Sequence, residues 1–178
     1  MSADRNPGAA YVYQGEELGL WEAEDLPDAL LQDPTWERSG HQSRGRDGCR
    51  VPLPWSRTAP SFGFGPPGSA PWLPQPAEWA SLSVDVQSGL SGSTLELYRA
   101  AVRLRRDHPG LAGEDLCWLP SPAGTLQFER GEGFRCALNL ADAPWELPAV
   151  ATILLASEMS WTSMLAPDTA AWYAPRPT

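Results

Sequence analysis

Histidine and cysteine are scarce in this chain, and their scarcity excludes several kinds of site. The 178 residues include two His and three Cys. Cys49, Cys117 and Cys136 are odd in number and lack the spacing of a metal-ligand set, which predicts reduced thiols in a cytoplasmic protein. His41 has no Asp, Ser or Cys partner at a diagnostic spacing, so we expect a structural or solvent-facing residue rather than a catalytic one. Neither a metal nor a cofactor is expected.

Basic charge and long apolar runs are also lacking. The chain has 13 basic and 22 acidic residues and a net charge of −9, which argues against nucleic acid and anionic membranes as partners. No apolar run approaches the length needed to span a bilayer. The segment Met1–Asn6 has no apolar core of a signal peptide. The sequence therefore predicts neither secretion nor membrane anchoring.

Turn-forming residues and tryptophan, in contrast, are abundant. The 16 Gly and 19 Pro lie well above the roughly 12% that these two residue types usually contribute together. Nine Trp and a hydrophobic content of 42% indicate a chain with much to bury. The composition therefore predicts long ordered loops around a packed core, in one ordinary domain or in a large and a small one.

One stretch, Arg44–Trp55, combines three arginines, one aspartate, two glycines, two prolines and a tryptophan. No helix or strand period fits it, because Gly and Pro recur too often. We call it the arginine loop. A guanidinium offers five fixed donors that suit vicinal hydroxyls, carboxylates and phosphates, and a Trp face suits a sugar ring. The alternative is a surface loop whose arginines pair with nearby acids.

The region before the arginine loop offers one candidate strand and a long excursion. The apolar run Ala9–Tyr13 is closed by Gln14–Glu17. It is either a strand of a parallel sheet, with polar residues at the end where α/β barrels hold their active sites, or a hairpin strand before an acidic turn. Residues 18–40 are acidic and proline-rich, with at most a helical turn near Asp28–Leu31. Residues 60–76 also read as loop, and loop regions this long are usually functional.

The last ninety residues switch from a helical to a strand pattern. Ser93 and Glu96 form a capping box that predicts a helix, which ends at His108-Pro109-Gly110. From residue 116 onward short apolar runs alternate with Pro, Gly and acidic turns, which predicts a small antiparallel sheet or sandwich. The predicted strands cover residues 116–119, 125–130, 134–140, 151–156 and 169–173.

Several of these motifs resemble a known family. Tyr11–Leu20 resembles the end of the last barrel strand in the α-glucosidase branch of the α-amylase superfamily, which includes oligo-1,6-glucosidases, sucrose isomerases and trehalose synthases. Asp33-Pro34-Thr35-Trp36-Glu37, the arginine loop and Pro71–Pro74 follow in the order of that group. The resemblance implies an α+β fragment. Residues 1–112 would be the last strand and helix of a TIM (β/α) barrel with long loops, and residues 113–178 a small antiparallel β-domain.

The resemblance also implies an activity and its limits. A retaining α-glucosidase needs two carboxyl groups about 5 Å apart, and relatives hold these on earlier barrel strands. Glu16, Glu17 and Asp47 do not match the catalytic positions, so no catalytic residue is assigned. We expect the C-terminal portion of a retaining α-glucosidase that hydrolyses α-linked glucose from short oligosaccharides, inactive alone because the catalytic carboxylates are absent.

Substrate contacts carry over from the family to residues of this chain. Arg46 would hold the non-reducing glucose of an α-glucoside oligosaccharide, or be confined to a structural ion pair. Asp47 and Arg50 would fix the loop or touch sugar, and Gln14 and Glu16 would line the same pocket. Tyr13 and Trp55 are expected in the core.

Two other functions stay open for the chain. It is either a non-catalytic module that binds carbohydrate or completes a barrel with the missing portion, or a truncated product with no function of its own.

Overall fold

The chain forms two compact units in the computed structural model. The structure describes residues 10–113, 115–131, 133–147, 150–158 and 164–176. Val12–Glu96 forms one unit, which we call the loop unit. Ala10, Tyr11 and the described residues from Leu97 onward belong to the other, the sheet unit. The domain boundary expected between residues 112 and 113 stays a prediction. Within the described ranges, no helix combines the length and apolar character that crossing a bilayer requires.

The loop unit has little regular structure, in agreement with its glycine and proline content. Its helices are α1 (Pro34–Arg38), α2 (Val84–Gln87) and the first residues of α3 (Thr94–Asp107). Short 3₁₀ turns connect them, at Glu16–Leu18, Asp28–Leu30, Asp47–Cys49, Pro60–Gly63 and Ala77–Leu82. The turn at Asp28–Leu30 confirms the one predicted near Asp28–Leu31.

The strand predicted over Ala9–Tyr13 is wrong for the residues that the structure describes. Residues 10–13 have no regular structure, and Ala9 lies outside the described residues. Tyr11 is 92% exposed, and Val12 and Tyr13 are exposed as well. A strand exists only when a neighbouring strand pairs with its backbone amides and carbonyls, and the loop unit contains none. An apolar run without that neighbour stays an extended, unpaired segment.

A buried core nevertheless holds the loop unit together. Trp79 is 3% exposed and packs edge-on against Trp21, with ring centroids 6.3 Å apart. Val51 of the arginine loop lies in the same cluster. Its burial anchors the second half of the loop to the core. The other buried members are Ala23, Leu26 and Leu73.

Helix α3 begins where its capping residues predict. The Ser93 hydroxyl accepts a hydrogen bond from the Glu96 amide at 3.3 Å, which identifies Ser93 as the N-cap. The Glu96 carboxylate accepts from the Gly89 amide at 2.9 Å. The helix ends at Asp107, and the next residue, His108, accepts a hydrogen bond from the Gly110 amide on Nδ1 at 3.1 Å. The turn that follows stops the helix before Pro109.

The sheet unit confirms the antiparallel sheet that the alternating runs predict. Five strands pair antiparallel in the order β1-β2-β3-β7-β5. These strands are β1 (Cys117–Trp118), β2 (Thr125–Arg130), β3 (Phe134–Asn139), β5 (Val150–Ala156) and β7 (Thr169–Pro175). A separate pair, β4 (Trp145–Glu146) and β6 (Met164–Leu165), was not predicted, because two-residue strands are too short to show a period.

Alternation along β3 separates the two faces of the sheet. Phe134 and Cys136 face one side, where they pack with Leu111. Ala137 faces the other side and packs with Leu165 of β6, among others. Both faces are therefore covered by apolar side chains, which gives this small sheet two hydrophobic layers.

The three thiols differ in burial, and their reactivity should follow it. Burial raises the pKa of the Cys136 thiol to about 11, whereas Cys117 is exposed. Burial and a hydrogen bond with Glu22 raise the pKa of Cys49 as well. We expect an aromatic disulfide reagent at mildly alkaline pH to label Cys117 first and Cys136 only after unfolding, because the thiolate is the reacting form. Peptide mapping of the labelled chain measures the order, and native labelling of Cys136 at the rate of Cys117 would contradict the sheet.

Candidate functional site

The arginine loop is irregular, as its Gly and Pro content predicts, apart from the single 3₁₀ turn at Asp47–Cys49. Gly45 has φ +70°, a backbone conformation that favours glycine. A Cβ atom at Gly45 would lie 2.5 Å from Cγ of Asp33, so the residue before Arg46 also has no space for a side chain. Glycine at position 45 therefore lets the loop approach Asp33 more closely than a residue with a side chain would.

Asp47 is fully buried and fixes the loop from within. Its Oδ2 accepts hydrogen bonds from the amides of Gln32 at 2.6 Å and Asp33 at 2.8 Å. Its Oδ1 has no hydrogen-bond partner among the described residues and lies 3.7 Å from Nη1 of Arg50. This is the geometry of a carboxylate that holds backbone in place, and it leaves Asp47 no solvent-facing surface for substrate.

Asp33 is a second buried carboxylate in contact with the loop. Oδ1 accepts from the Thr35 amide at 2.9 Å, and Oδ2 accepts from the Arg46 amide at 3.0 Å. The hydrogen bonds from Thr35, and then the one from Arg46, hold the pKa of Asp33 well below its usual range. Asp33 was not among the predicted site residues, although an Asp-Pro pair is typical of a helix N-cap with an ordered carboxylate.

Two of the three arginines are held in ion pairs, as the alternative interpretation of the loop predicts. Nη1 of Arg50 lies 2.9 Å from Oδ2 of Asp33. Nη1 of Arg44 lies 2.5 Å from Oδ1 of Asp28, and its Nη2 donates to the Leu26 carbonyl. Both arginines therefore serve the structure of the loop.

Arg46 differs from these two arginines. Its side chain is exposed, and its guanidinium carbon lies 5.7 Å from the centroid of the Tyr13 ring, within cation–π range. Among the residues that the structure describes, no carboxylate pairs with this guanidinium. The five donors of Arg46 are thus available to a ligand, while its backbone is fixed by Asp33.

Gln14 and Glu16 meet at a neighbouring cavity. Both line a space of about 90 Å³ that is also lined by Tyr13 and Cys49. Arg46, Asp47 and Arg50 do not line it, so the structure brings the predicted site residues together as two groups rather than as one. Tyr13 connects the two groups. It lines the cavity, and its ring makes the cation–π contact with the Arg46 guanidinium.

Two aromatic side chains expected in the core are exposed instead. Tyr13 is 39% exposed and Trp55 is 51% exposed. The aromatic plate that the loop presents therefore faces solvent. The backbone of Trp55 is held by a hydrogen bond from its amide to the Phe62 carbonyl at 2.8 Å.

An open cleft of about 770 Å³ in the loop unit shares two lining residues, Trp21 and Glu22, with the cavity beside Tyr13. It is lined by acidic side chains, among them Glu24, Asp25 and Glu78, and by Trp21. None of the predicted site residues lines it. Nor do the described residues contain a group of three or more His, Cys, Asp or Glu that could hold a metal ion.

Removal of the Asp47 carboxylate should unfold the arginine loop. In Asp47→Ala the buried amide of Asp33 and the partly buried amide of Gln32 lose their acceptor, and we expect the free energy of unfolding to fall by about 2–4 kcal/mol. Asp28→Ala removes an exposed partner of Arg44 and should cost at most about 1 kcal/mol. Urea denaturation followed by Trp fluorescence measures both variants, and equal losses would contradict the structural role of Asp47.

A family model and several relatives match the chain. The model of the alpha amylase catalytic domain matches residues 2–114. A probable α-glucosidase of Rhizobium meliloti is 37% identical over 147 residues, which cover 79% of this chain and 26% of that protein. An oligo-1,6-glucosidase of Saccharomyces cerevisiae is 30% identical over 122 residues, 57% of this chain and 21% of that protein.

Solved structures share the fold of this chain. An α-glucosyl transfer enzyme, XgtA, superposes with a TM-score of 0.71 and 32% identity over 93% of this chain and 32% of its own. The trehalulose synthase of Pseudomonas mesoacidophila superposes with a TM-score of 0.73 over 96% of this chain and 36% of its own, and at 20% identity it shares the fold. The chain thus spans between about a fifth and slightly more than a third of the length of these proteins. With the family model matched over most of the chain and an α-glucosidase among its relatives, the protein belongs to the α-amylase family as an α-glucosidase-type member.

Proposed function

We propose that this chain is the C-terminal portion of a retaining α-glucosidase that hydrolyses α-linked glucose from short oligosaccharides. The observation that carries the proposal is the exposed Arg46 guanidinium, which has no ion-pair partner among the described residues although its backbone is fixed. The 37% identical relative is a probable α-glucosidase, and a variant of the structurally similar trehalulose synthase was solved in complex with the substrate sucrose. The unpaired thiols support a reducing compartment, the cytoplasm.

In this proposal Arg46 binds the non-reducing glucose. Its planar fork donates two parallel hydrogen bonds to adjacent hydroxyls, a geometry that a lysine ammonium does not match. Asp47 and Arg50 keep the loop in place, and Gln14 and Glu16 extend the contact surface from the cavity beside Tyr13. The exposed indole of Trp55 offers an aromatic face for a further sugar unit.

The bond-breaking step is assigned to carboxylates outside this chain. Retention needs a nucleophile and an acid/base about 5 Å apart and open to substrate. Asp33 and Asp47 are buried and occupied by backbone amides, and the Glu17 carboxylate accepts from the Gly15 amide at 2.9 Å. None of these three is free to attack a sugar carbon, and Glu16, which lines the cavity beside Tyr13, does not match a catalytic position of the family. We therefore propose that the chain alone binds an α-glucoside without cleaving it.

The test separates binding from turnover. We expect the purified chain to release no aryl alcohol from an aryl α-glucoside above the buffer rate. We also expect it to bind maltose, with at least about a tenfold loss of affinity in Arg46→Ala, because two charge-assisted hydrogen bonds are removed. Arg57→Ala, which removes an exposed arginine of the same unit, is the matched control and should bind as the parent does. Turnover by the chain, or unchanged affinity in Arg46→Ala, would refute the proposal.

A second candidate function is a module that completes a barrel supplied by another polypeptide. The observation in its favour is the unpaired apolar segment Tyr11-Val12-Tyr13, whose side chains are 92%, 49% and 39% exposed. Apolar side chains beside unpaired backbone favour the addition of a neighbouring strand.

Complementation distinguishes this candidate from a truncated product without function. The Rhizobium meliloti relative, shortened by the part that this chain matches, serves as the other half. Recovery of α-glucosidase activity on mixing, and its loss with Val12→Asp, would establish the module. Absence of recovery with a folded, maltose-binding chain would reject it.

A further inference from the structure

An aspartate outside the arginine loop, Asp33, contacts two arginines of that loop, Arg46 and Arg50. Asp33 is 7% exposed, and its Oδ2 receives the Arg46 amide at 3.0 Å and Nη1 of Arg50 at 2.9 Å. The first of these bonds holds the backbone of the residue whose side chain is free. The Asp33 carboxylate can therefore fix the position of the Arg46 backbone, from which the side chain extends.

The backbone before Arg46 is fitted to the Asp33 side chain. A Cβ atom at Gly45 would lie 2.6 Å from Cβ and 2.5 Å from Cγ of Asp33, closer than Cβ atoms approach other atoms in proteins. Gly45 thus lets the chain pass over the carboxylate at hydrogen-bond distance. The contact is built from both sides, by a glycine on one segment and a buried aspartate on the other.

Asp47, the residue after Arg46, makes the reciprocal contact with the segment around Asp33. Oδ2 of Asp47 accepts hydrogen bonds from the amides of Asp33 at 2.8 Å and Gln32 at 2.6 Å. The two segments therefore exchange carboxylate–amide hydrogen bonds in both directions, and Arg46 lies between the two points of exchange. The Arg46 side chain has no carboxylate partner among the described residues and extends over the ring of Tyr13.

We propose that Asp33 is a positioning residue, which fixes the Arg46 backbone so that the guanidinium is presented to the terminal glucose of the substrate. This inference rests on the proposed role of Arg46. A loop that is already ordered loses less conformational entropy when a sugar binds, so positioning appears as affinity. Because hydrogen bonds keep the pKa of Asp33 low, the carboxylate stays charged across the pH range of the experiments.

Asp33 also caps helix α1, and a test must separate the two roles. Oδ1 accepts from the Thr35 amide, whereas Oδ2 contacts the arginine loop. Serine is about as good an N-cap as aspartate but has one oxygen instead of two. Asp33→Ser therefore keeps the cap and removes the contact with Arg46.

The experiment reads the backbone and the ligand in the same samples of the full chain. Amide hydrogen exchange by NMR reports Arg46 and Thr35 separately, and a maltose titration reports affinity. In Asp33→Ser we expect about tenfold faster exchange at Arg46, unchanged exchange at Thr35 and about tenfold weaker maltose binding, the loss typical of one charge-assisted hydrogen bond. Gly45→Ala, which pushes the loop away without altering Asp33, should give the same pattern.

A matched control comes from the same segment. Asp28→Ser removes another aspartate that pairs with an arginine of the loop, Arg44, without touching Arg46. We expect exchange at Arg46 and maltose affinity to stay at parental values. Equal effects of Asp28→Ser and Asp33→Ser would overturn the proposal, because they would indicate a general loss of charge pairing.

Other outcomes also test the positioning role of Asp33. Unchanged Arg46 exchange in Asp33→Ser, or faster exchange with unchanged maltose affinity, overturns the positioning role. If the parental chain does not bind maltose, the proposed function fails. The positioning inference is then judged by the NOE between the Arg46 side chain and the Tyr13 ring, which it requires to be lost in Asp33→Ser. Should Asp33→Ser unfold the loop unit, Asp33→Asn decides by the same measurements.

Discussion

The structure of the loop unit depends on an exchange of hydrogen bonds between two buried carboxylates and the backbone. Asp33 receives the amide of Arg46, and Asp47 receives the amides of Gln32 and Asp33. A region with so little helix and strand has many backbone groups without a regular partner, and charged acceptors are strong enough to replace one, at about 1.5–3 kcal/mol each. Burial of two carboxylates is costly, and these amides together with Arg50 compensate for that cost.

This exchange divides the arginines of the loop by function. Arg44 and Arg50 each have a carboxylate partner, so they add to the order of the loop. Arg46 has its backbone fixed and its guanidinium exposed over Tyr13. A ligand-binding group benefits from this combination, because the order is established before the ligand arrives while the donors stay available. The ion-pair interpretation and the sugar-binding interpretation of the loop thus apply to different residues of it.

The sequence predicted those elements whose signals are local. Strand β2 lies where the apolar alternation places it, and β3 differs from the prediction by a single residue at its end. Helix α3 starts beside the predicted cap at Ser93. The segment 10–13 shows where local signals fail. Its apolar run has the composition of a strand, but no neighbouring strand pairs with it, so no strand forms. Helix α1 was missed since its only signal is an Asp-Pro pair within a proline-rich stretch.

By itself, the sequence determined the irregular loop, the antiparallel sheet, the helix before it and the α-glucosidase-type family. All of these follow from residue periods, turn chemistry and motifs that a linear pattern contains. Only the tertiary structure decided which arginine is free and which aspartate holds it. That choice depends on contacts between residues 13 to 17 positions apart, such as Asp33 with Arg46 and Arg50, and the distance between two segments is not encoded in the pattern of either one.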